Sequence, residues 1–282
     1  MNVPLFLAVT VFILGLVFTL SNSNRSEKKQ GIITTLIVSI LSGVIANVIS
    51  YAITYGWEPR ETQPGFTIDQ TEDKLSTKAM SDLPCPGDII QFGTYPQNSS
   101  SSSPIEWIVL NSMDEKLLVI SSNALDCQKY HSQDTDVTWE TCSLRQWLNS
   151  TFYNAAFSGE EQKHILPTTV SAQYNPQYST NPGSDTQDKL FLLSIDEVNL
   201  YFSSNNDRVC TATLHAVKQG AYENSSTGSS WWWLRTPGIS NKDAASVNSD
   251  GSIDYDDGSV ISSKGSVRPA MWIAWTDYLD VT

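Results

Sequence analysis

Residues 105–120 read IEWIVLNSMDEKLLVI. Two runs of branched aliphatic residues, Ile105–Leu110 and Leu117–Ile120, flank a polar segment. Short runs rich in Val and Ile between turn-forming residues are typical of β-strands. A third such run, Asp88–Phe92, precedes these two. The serine-rich tract Asn98–Ser103 separates it from the run Ile105–Leu110. The chain beyond about residue 83 therefore begins as β structure.

Over residues 143–157 the spacing of apolar residues changes from strand-like runs to the period of a helix. Leu144, Trp147, Leu148 and Phe152 recur at helical spacing, and Ser143 is a candidate N-cap. Two Ser-x-x-Glu patterns predict further short helices, because each has the form of a capping box. These patterns are Ser158–Glu161 and Ser194–Glu197. Further strands are predicted at 189–193, 231–234 and 267–274, which makes the predicted fold class α+β.

Glycines recur every seven residues near the C-terminus, at Gly251, Gly258 and Gly265. Asp-Gly is a favoured two-residue hairpin turn, and it occurs at 250–251 and 257–258. The repeat predicts a meander of short strands that directs Val260 inward and Asn, Asp, Tyr and Ser side chains outward. The outward side chains form either a surface that is displayed to a ligand or a polar edge that only faces solvent. We favour the ligand-facing surface, because loops on a rigid scaffold commonly carry binding residues.

The N-terminal region, residues 1–57, contains two uncharged apolar runs at 3–20 and 31–55. A membrane-spanning helix needs roughly 20 apolar residues, so both runs are predicted as transmembrane helices. The basic residues Arg25, Lys28 and Lys29 lie between them. The positive-inside rule therefore predicts a cytoplasmic loop and an extracytoplasmic C-terminal domain. If the first run is instead a cleaved signal peptide, the second run keeps the same polarity.

Small and weakly polar residues form one stripe on the second run, which predicts helix–helix contact, either with the first run or with a second copy.

Residues 58–82 are polar and contain Pro59 and Pro64, as a stalk would. Residues 83–282 are long enough for one domain with its own core. The net charge of −13 disfavours nucleic acid as a partner.

Four ordered motifs resemble a bacterial extracytoplasmic family of domains of unknown function, DUF6273. The motifs are GDIIQFGTYP at 87–96 followed by PIEW at 104–107, TWETCSLRQWLN at 138–149, WWLRTPG at 232–238 and VRPA at 267–270. They cover nearly all of residues 83–275. The resemblance extends to C-type-lectin-like folds and to the variable proteins of diversity-generating retroelements. It implies a C-type-lectin-like domain whose tract Gly238–Ser266 faces a ligand.

Several chemical sites were weighed against this interpretation. Formylglycine-generating enzymes share the lectin-like fold but use a late cysteine pair, and no Cys follows Cys210 here. Residues 246–257 match part of a calcium-loop spacing, but Ser246 and Asp257 depart from it at the first and last positions. Exposed acidic turns are the better interpretation. Glu106 and Glu140 lie within family motifs and are interpreted as structural. No metal or cofactor is predicted.

The four cysteines permit two disulfides or a set of buried thiols. They are Cys85, Cys127, Cys142 and Cys210. Cys127 and Cys142 flank one polar loop and are the first pair to test. Arg145, Arg235 and Arg268 are expected to satisfy buried loop carbonyls with their guanidinium donors and not to bind anions.

The sequence thus predicts a membrane-anchored, extracytoplasmic and non-enzymatic ligand-binding module with a protein or glycan ligand. The alternatives are an extracytoplasmic enzyme on the same fold and a structural subunit of a membrane complex. The predicted ligand-binding residues are the outward side chains of the turns and one rim tryptophan. They are Trp231, Asn241, Asp243, Asn248, Asp254, Tyr255 and Asp256.

Overall fold

The computed structural model describes residues 83–98 and 101–275, apart from the side chain of Asp257. The predicted transmembrane helices at 3–20 and 31–55, the basic loop between them and the stalk at 58–82 lie outside these residues. Within the described ranges, no helix is long and apolar enough to cross a membrane.

Strands dominate the described residues. They are β1 (Ile89–Pro96), β2 (Ser102–Met113), β3 (Lys116–Ser121), β4 (Asp126–Cys127), β5 (Ile165–Leu166), β6 (Thr168–Val170), β7 (Thr186–Asp188), β8 (Cys210–Thr211), β9 (Ser229–Ser230), β10 (Trp232–Pro237), β11 (Asp243–Val247), β12 (Ile253–Ser259), β13 (Ser266–Val267) and β14 (Ala270–Ala274).

The helices are short. They are α1 (Ser143–Trp147), which continues through a π-helical turn (Leu148–Phe152) into α2 (Tyr153–Ala156), then α3 (Glu161–His164), α4 (Ile195–Tyr201), α5 (Asn205–Arg208) and α6 (Leu214–Gln219). The fold of the described residues is mostly β with few helices, so the predicted α+β class is wrong. The capping boxes start helices of only one or two turns, because the chain becomes extended again at Ile165 and Phe202.

The first sheet has the strand order β1-β2-β3-β14-β5, with every neighbouring pair antiparallel. β1, β2 and β3 are consecutive and confirm the three strands predicted from residues 88–120. β14 comes from the end of the domain and pairs with β3 at Met271↔Val119. The C-terminal segment is therefore built into the middle of this sheet.

The second sheet has the order β12-β11-β10-β13-β4. β10, β11 and β12 are antiparallel neighbours, whereas β13 runs parallel to β10 at Trp232↔Ser266. Two small antiparallel pairs, β6-β7 and β8-β9, accompany the sheets. Residues of both large sheets, including Trp107, Trp232 and Trp233, are fully buried in one hydrophobic cluster.

The predicted helix over 143–157 is confirmed as the continuous run from α1 to α2. Leu144, Leu148 and Phe152 are buried, as the period requires. The N-cap is Cys142 and not Ser143, since the Cys142 Sγ accepts a hydrogen bond from the Arg145 backbone N–H at 3.4 Å.

Both predicted capping boxes form. Ser194 and Glu197 exchange side-chain and backbone hydrogen bonds at the start of α4. Ser158 and Glu161 do the same beside α3. Each box satisfies backbone N–H groups that the first turn of a helix would otherwise leave without partners.

Two predictions fail in detail. Residues 189–193 are largely buried, but they form only an isolated bridge, between Phe191 and Ala270, and not a strand. Asp250-Gly251 does lie in the turn between β11 and β12, whereas Asp257-Gly258 lies inside β12, where Gly258 pairs with Ala244.

Val260 is buried, with 1% of its surface exposed, which confirms its inward orientation. We expect Val260→Thr to lower the free energy of unfolding by about 1–2 kcal/mol, because it buries a hydroxyl in place of a methyl group. Ile261→Thr, at a neighbouring exposed position, should stay within about 0.5 kcal/mol. Urea denaturation of both variants measures the difference. Equal losses would show that Val260 does not contribute to the core.

Candidate functional site

Residues 171–185, which join β6 to β7, lie against β12 and the turn that follows β10. The buried side chain of Asn175 donates to the carbonyl oxygens of Pro237 at 2.8 Å and Tyr255 at 2.7 Å. Thr180 Oγ1 donates to the carbonyl oxygen of Gly238 at 2.7 Å. These bonds hold a long irregular segment in place over the edge of the second sheet.

The same segment places Tyr178 beside two carboxylates of β12. Tyr178 Oη donates to Asp256 Oδ2 at 3.3 Å. Desolvation, followed by the negative charges of Asp256 and Asp254, raises the pKa of Tyr178 above its usual value. The phenol therefore stays protonated at neutral pH and acts as a hydrogen-bond donor.

Large side chains remain exposed around this contact. Tyr174 is 64% exposed, Tyr178 is 38% exposed and Ile239 is 52% exposed. The Ile239 backbone N–H donates to the Asp256 carbonyl oxygen at 3.0 Å, which fixes Ile239 beside β12. We call the surface formed by Tyr178, Ile239, Asp254 and Asp256 the tyrosine–aspartate face.

Among the predicted site residues, Asp254 and Asp256 belong to this face, and Asn241 lies next to it. The Asn241 side chain donates to the Asn181 carbonyl oxygen at 2.8 Å and so meets the same irregular segment. Asp243 accepts from Ser240 Oγ at 2.6 Å within its own turn. Tyr255 is half-buried and packs against the hydrophobic core.

Trp231 and Asn248 lie at the other end of the same strands. Trp231 immediately precedes the Trp232↔Val247 pair, and Asn248 follows it in the turn between β11 and β12. The Trp231 ring meets the buried Trp233 ring edge to face, with centroids 4.7 Å apart. The structure therefore does not bring these two residues to the tyrosine–aspartate face.

Residues 171–185 were not among the predicted site residues. The apolar residues of this segment have no period, so it gives no helix or strand signal. Two exposed tyrosines in a long polar connection were an available signal, because long ordered loops are frequently functional. Asn175, which holds the segment on the sheet, could not have been identified without the tertiary contact.

The acidic turns show no arrangement for a cation. Asp250 Oδ1 accepts from the Ser252 backbone N–H and hydroxyl, and these bonds lower the pKa of Asp250. Asp254 Oδ1 accepts from the Asp256 backbone N–H at 3.1 Å. In the part of the chain that the structure describes, no group of three or more His, Cys, Asp or Glu side chains could hold a metal ion.

The four cysteines are free thiols, so the proposed Cys127–Cys142 pair does not form. Burial, followed by the charge of Asp126, raises the pKa of Cys127 to about 11, and burial raises the pKa of Cys142 to about 12. Both thiols are protonated at neutral pH, and a thiol is a much weaker nucleophile than a thiolate.

The three motif arginines bind backbone carbonyls, as predicted, although some of these carbonyls lie in strands or a helix and not in loops. Arg145 donates to Glu140 and Gln187 oxygens, Arg235 to Leu192 and Ser171 oxygens, and Arg268 to Ser121 and Arg208 oxygens. Arg145 and Arg235 also form ion pairs, with Asp188 and Glu197. These side chains stabilise the fold and are not available to a ligand.

A comparison with family models matches residues 114–275 to the domain of unknown function DUF6273. The match begins after the first motif, which therefore lies outside the matched range. No curated protein and no solved structure matches the chain. The further resemblance to C-type-lectin-like folds and to the variable proteins of diversity-generating retroelements is not confirmed. The match covers more than half of the chain, and the protein thus belongs to the DUF6273 family.

Proposed function

We propose that this protein is a non-catalytic ligand-binding module and that its tyrosine–aspartate face contacts a protein ligand with a basic surface. The observation that carries the proposal is the contact of exposed Tyr178 with the carboxylate of Asp256, beside Asp254 and the exposed Ile239. Tyrosine is enriched in binding surfaces, because it offers a large and rigid contact area at low entropic cost.

The charge of the face favours a basic partner. Neither Asp254 nor Asp256 forms an ion pair with a cationic side chain of the described residues. The net charge of the chain is −13, which adds a long-range attraction for cationic partners. Electrostatic complementarity mainly increases the association rate and the specificity of such contacts.

The rigidity of the face also supports binding. Asn175 and Thr180 fix the irregular segment to the sheet through buried or partly buried hydrogen bonds. A preorganised surface loses less conformational entropy on binding than a mobile loop does.

The predicted location outside the cytoplasmic membrane stays a prediction of the sequence.

The double variant Tyr178→Ala/Asp256→Asn tests the proposal. We expect it to weaken binding at least about tenfold, because truncating a central tyrosine commonly costs more than 1.4 kcal/mol. The measurement is the binding of the full chain to arrays of basic peptides, acidic peptides and glycans. Wild-type protein should bind basic peptides, and salt should weaken this binding.

Tyr222→Ala/Glu223→Gln provides a matched control, since Tyr222 is also 38% exposed and Glu223 is exposed beside it. This control should bind as wild type does. Equal binding by both double variants would overturn the site assignment. Binding of glycans in preference to basic peptides would overturn the proposed ligand class.

A further inference from the structure

We propose a second binding site, a polar cavity that takes an organic cation, either ammonium or guanidinium, carried on a short aliphatic stem. The cavity lies between the end of β1, the start of β2 and the segment that joins β8 to α6. Its volume is about 360 Å³. This lies at the lower end of the range for small-molecule sites, roughly 300–1,000 Å³.

Hydrogen bonds between lining residues, and one from α6, hold the walls of the cavity together. Gln97 Nε2 donates to the Pro104 carbonyl oxygen at 2.7 Å, which joins the ends of β1 and β2. The His215 backbone N–H donates to the Gln97 carbonyl oxygen at 3.2 Å, which brings α6 to the same place. Across the cavity, Thr211 Oγ1 donates to Asn123 Oδ1 at 2.7 Å. The site is therefore preformed.

Glu106 supplies the one charge among the described residues that line the cavity. Within the described residues, its carboxylate has no hydrogen bond or ion pair, and the side chain is exposed. Glu140, the other glutamate beside a motif tryptophan, instead accepts from the Ser184 backbone N–H at 3.1 Å. Both glutamates were interpreted from the sequence as structural residues. The structure supports this role for Glu140, which has a hydrogen-bond partner, but not for Glu106.

The remaining lining residues fit the rest of such a ligand. Asn98, Gln97 and Ser103 offer neutral oxygen atoms in the lining of the same cavity. Pro104, Ala212 and Leu214 offer apolar surface, and Leu214 is 57% exposed. Carboxylate and carbonyl oxygens form charge-assisted hydrogen bonds with cations, and an aliphatic stem covers neighbouring apolar atoms.

Other ligand classes fit this cavity less well. An anion would meet the Glu106 charge, and no cationic side chain lines the described walls to compensate for it. A sugar would find hydroxyl and amide partners, but no aromatic ring lines the walls for it to stack on. A ligand with a positive charge is therefore the class that best complements the Glu106 carboxylate.

Ligand-observed saturation-transfer NMR on the full chain tests the proposal with simple probes. The cationic probes are butylammonium and butylguanidinium, and 1-pentanol is their neutral analogue. We expect both cations to bind, to bind more tightly than the alcohol, and to be weakened by added salt. Glu106→Gln should weaken the cations about fivefold while leaving the alcohol unchanged.

Glu223→Gln is the matched control, because it removes an exposed carboxylate outside the cavity and should leave binding unchanged. A blocked tripeptide, acetyl-Gly-Lys-Gly-amide, separates the two sources of the cation. Tighter binding of the tripeptide than of butylammonium supports the proposal with a peptide side chain as ligand, and the reverse order supports it with a free amine. Cation binding that is unchanged in Glu106→Gln, or equal to that of 1-pentanol, would overturn the proposal.

Discussion

Replacement of Trp233 by alanine is expected to lower the free energy of unfolding by about 3–5 kcal/mol, the usual cost of truncating a buried aromatic side chain. Trp233 is fully buried on β10. Its indole N–H donates to the Gln128 carbonyl oxygen at 3.0 Å, and its ring meets the Tyr130 ring with centroids 5.7 Å apart. The variant therefore creates a cavity and removes the donor from a partly buried carbonyl.

Urea denaturation followed by circular dichroism measures this loss. Trp231→Ala is the matched control, since Trp231 is the same residue type two positions away but is only partly buried. It should cost clearly less. A loss for Trp231→Ala as large as that for Trp233→Ala would show that the edge-to-face pair, and not the burial of Trp233, determines the stability.

Trp233 also explains why the glycine repeat was misinterpreted. A Cβ atom at Gly265 would overlap the Trp233 indole nitrogen, and one at Gly258 would overlap the Ala244 carbonyl oxygen and lie 2.8 Å from the Trp233 ring. Two of the three glycines thus make room for one tryptophan. Only Gly251, with a positive φ of 82°, lies in a hairpin turn as the repeat predicted.

Local signals in the sequence predicted local structure well. The strands of residues 88–120 and the two capping boxes depend on neighbours within a few positions, and all are confirmed. The position of β14 between β3 and β5 was not predictable from such patterns. The parallel contact of β13 with β10 was also inaccessible, because both pairings join distant residues and depend on the packing of the whole domain.

In the candidate site, too, the residues that depend on local sequence were predicted and those that depend on long-range contacts were not. Asp254 and Asp256 were predicted from the turn-rich composition of their own tract. Tyr178 and Asn175 lie 78 and 80 residues away from their partners Asp256 and Tyr255. No period or motif marks such a contact. The Glu106 cavity was missed for a different reason: the family motif suggested a structural role for Glu106, whereas its exposed carboxylate forms no ion pair within the described residues.

The pair between Arg235 and Glu197 leads to the second large expected effect. Arg235 is almost fully buried, and Glu197 is its carboxylate partner, with Nη2 and Oε1 2.9 Å apart. Glu197 also accepts from the Ser194 backbone N–H at 2.9 Å as part of the capping box of α4. Glu197→Gln keeps an acceptor for the cap but leaves a buried guanidinium without a counter-charge.

We expect Glu197→Gln to lower the free energy of unfolding by about 3 kcal/mol. This is the low end of the cost of breaking a buried ion pair, because the Glu197 side chain keeps 27% of its surface exposed. Glu161→Gln separates the ion pair from the cap, since Glu161 also completes a capping box and accepts from the Gly93 backbone N–H, but has no arginine partner among the described residues. It should cost about 1 kcal/mol, because the amide keeps only one of the two acceptor oxygens. Chemical denaturation at neutral pH compares the two, and similar losses would mean that capping, not the buried charge, is the contribution of Glu197.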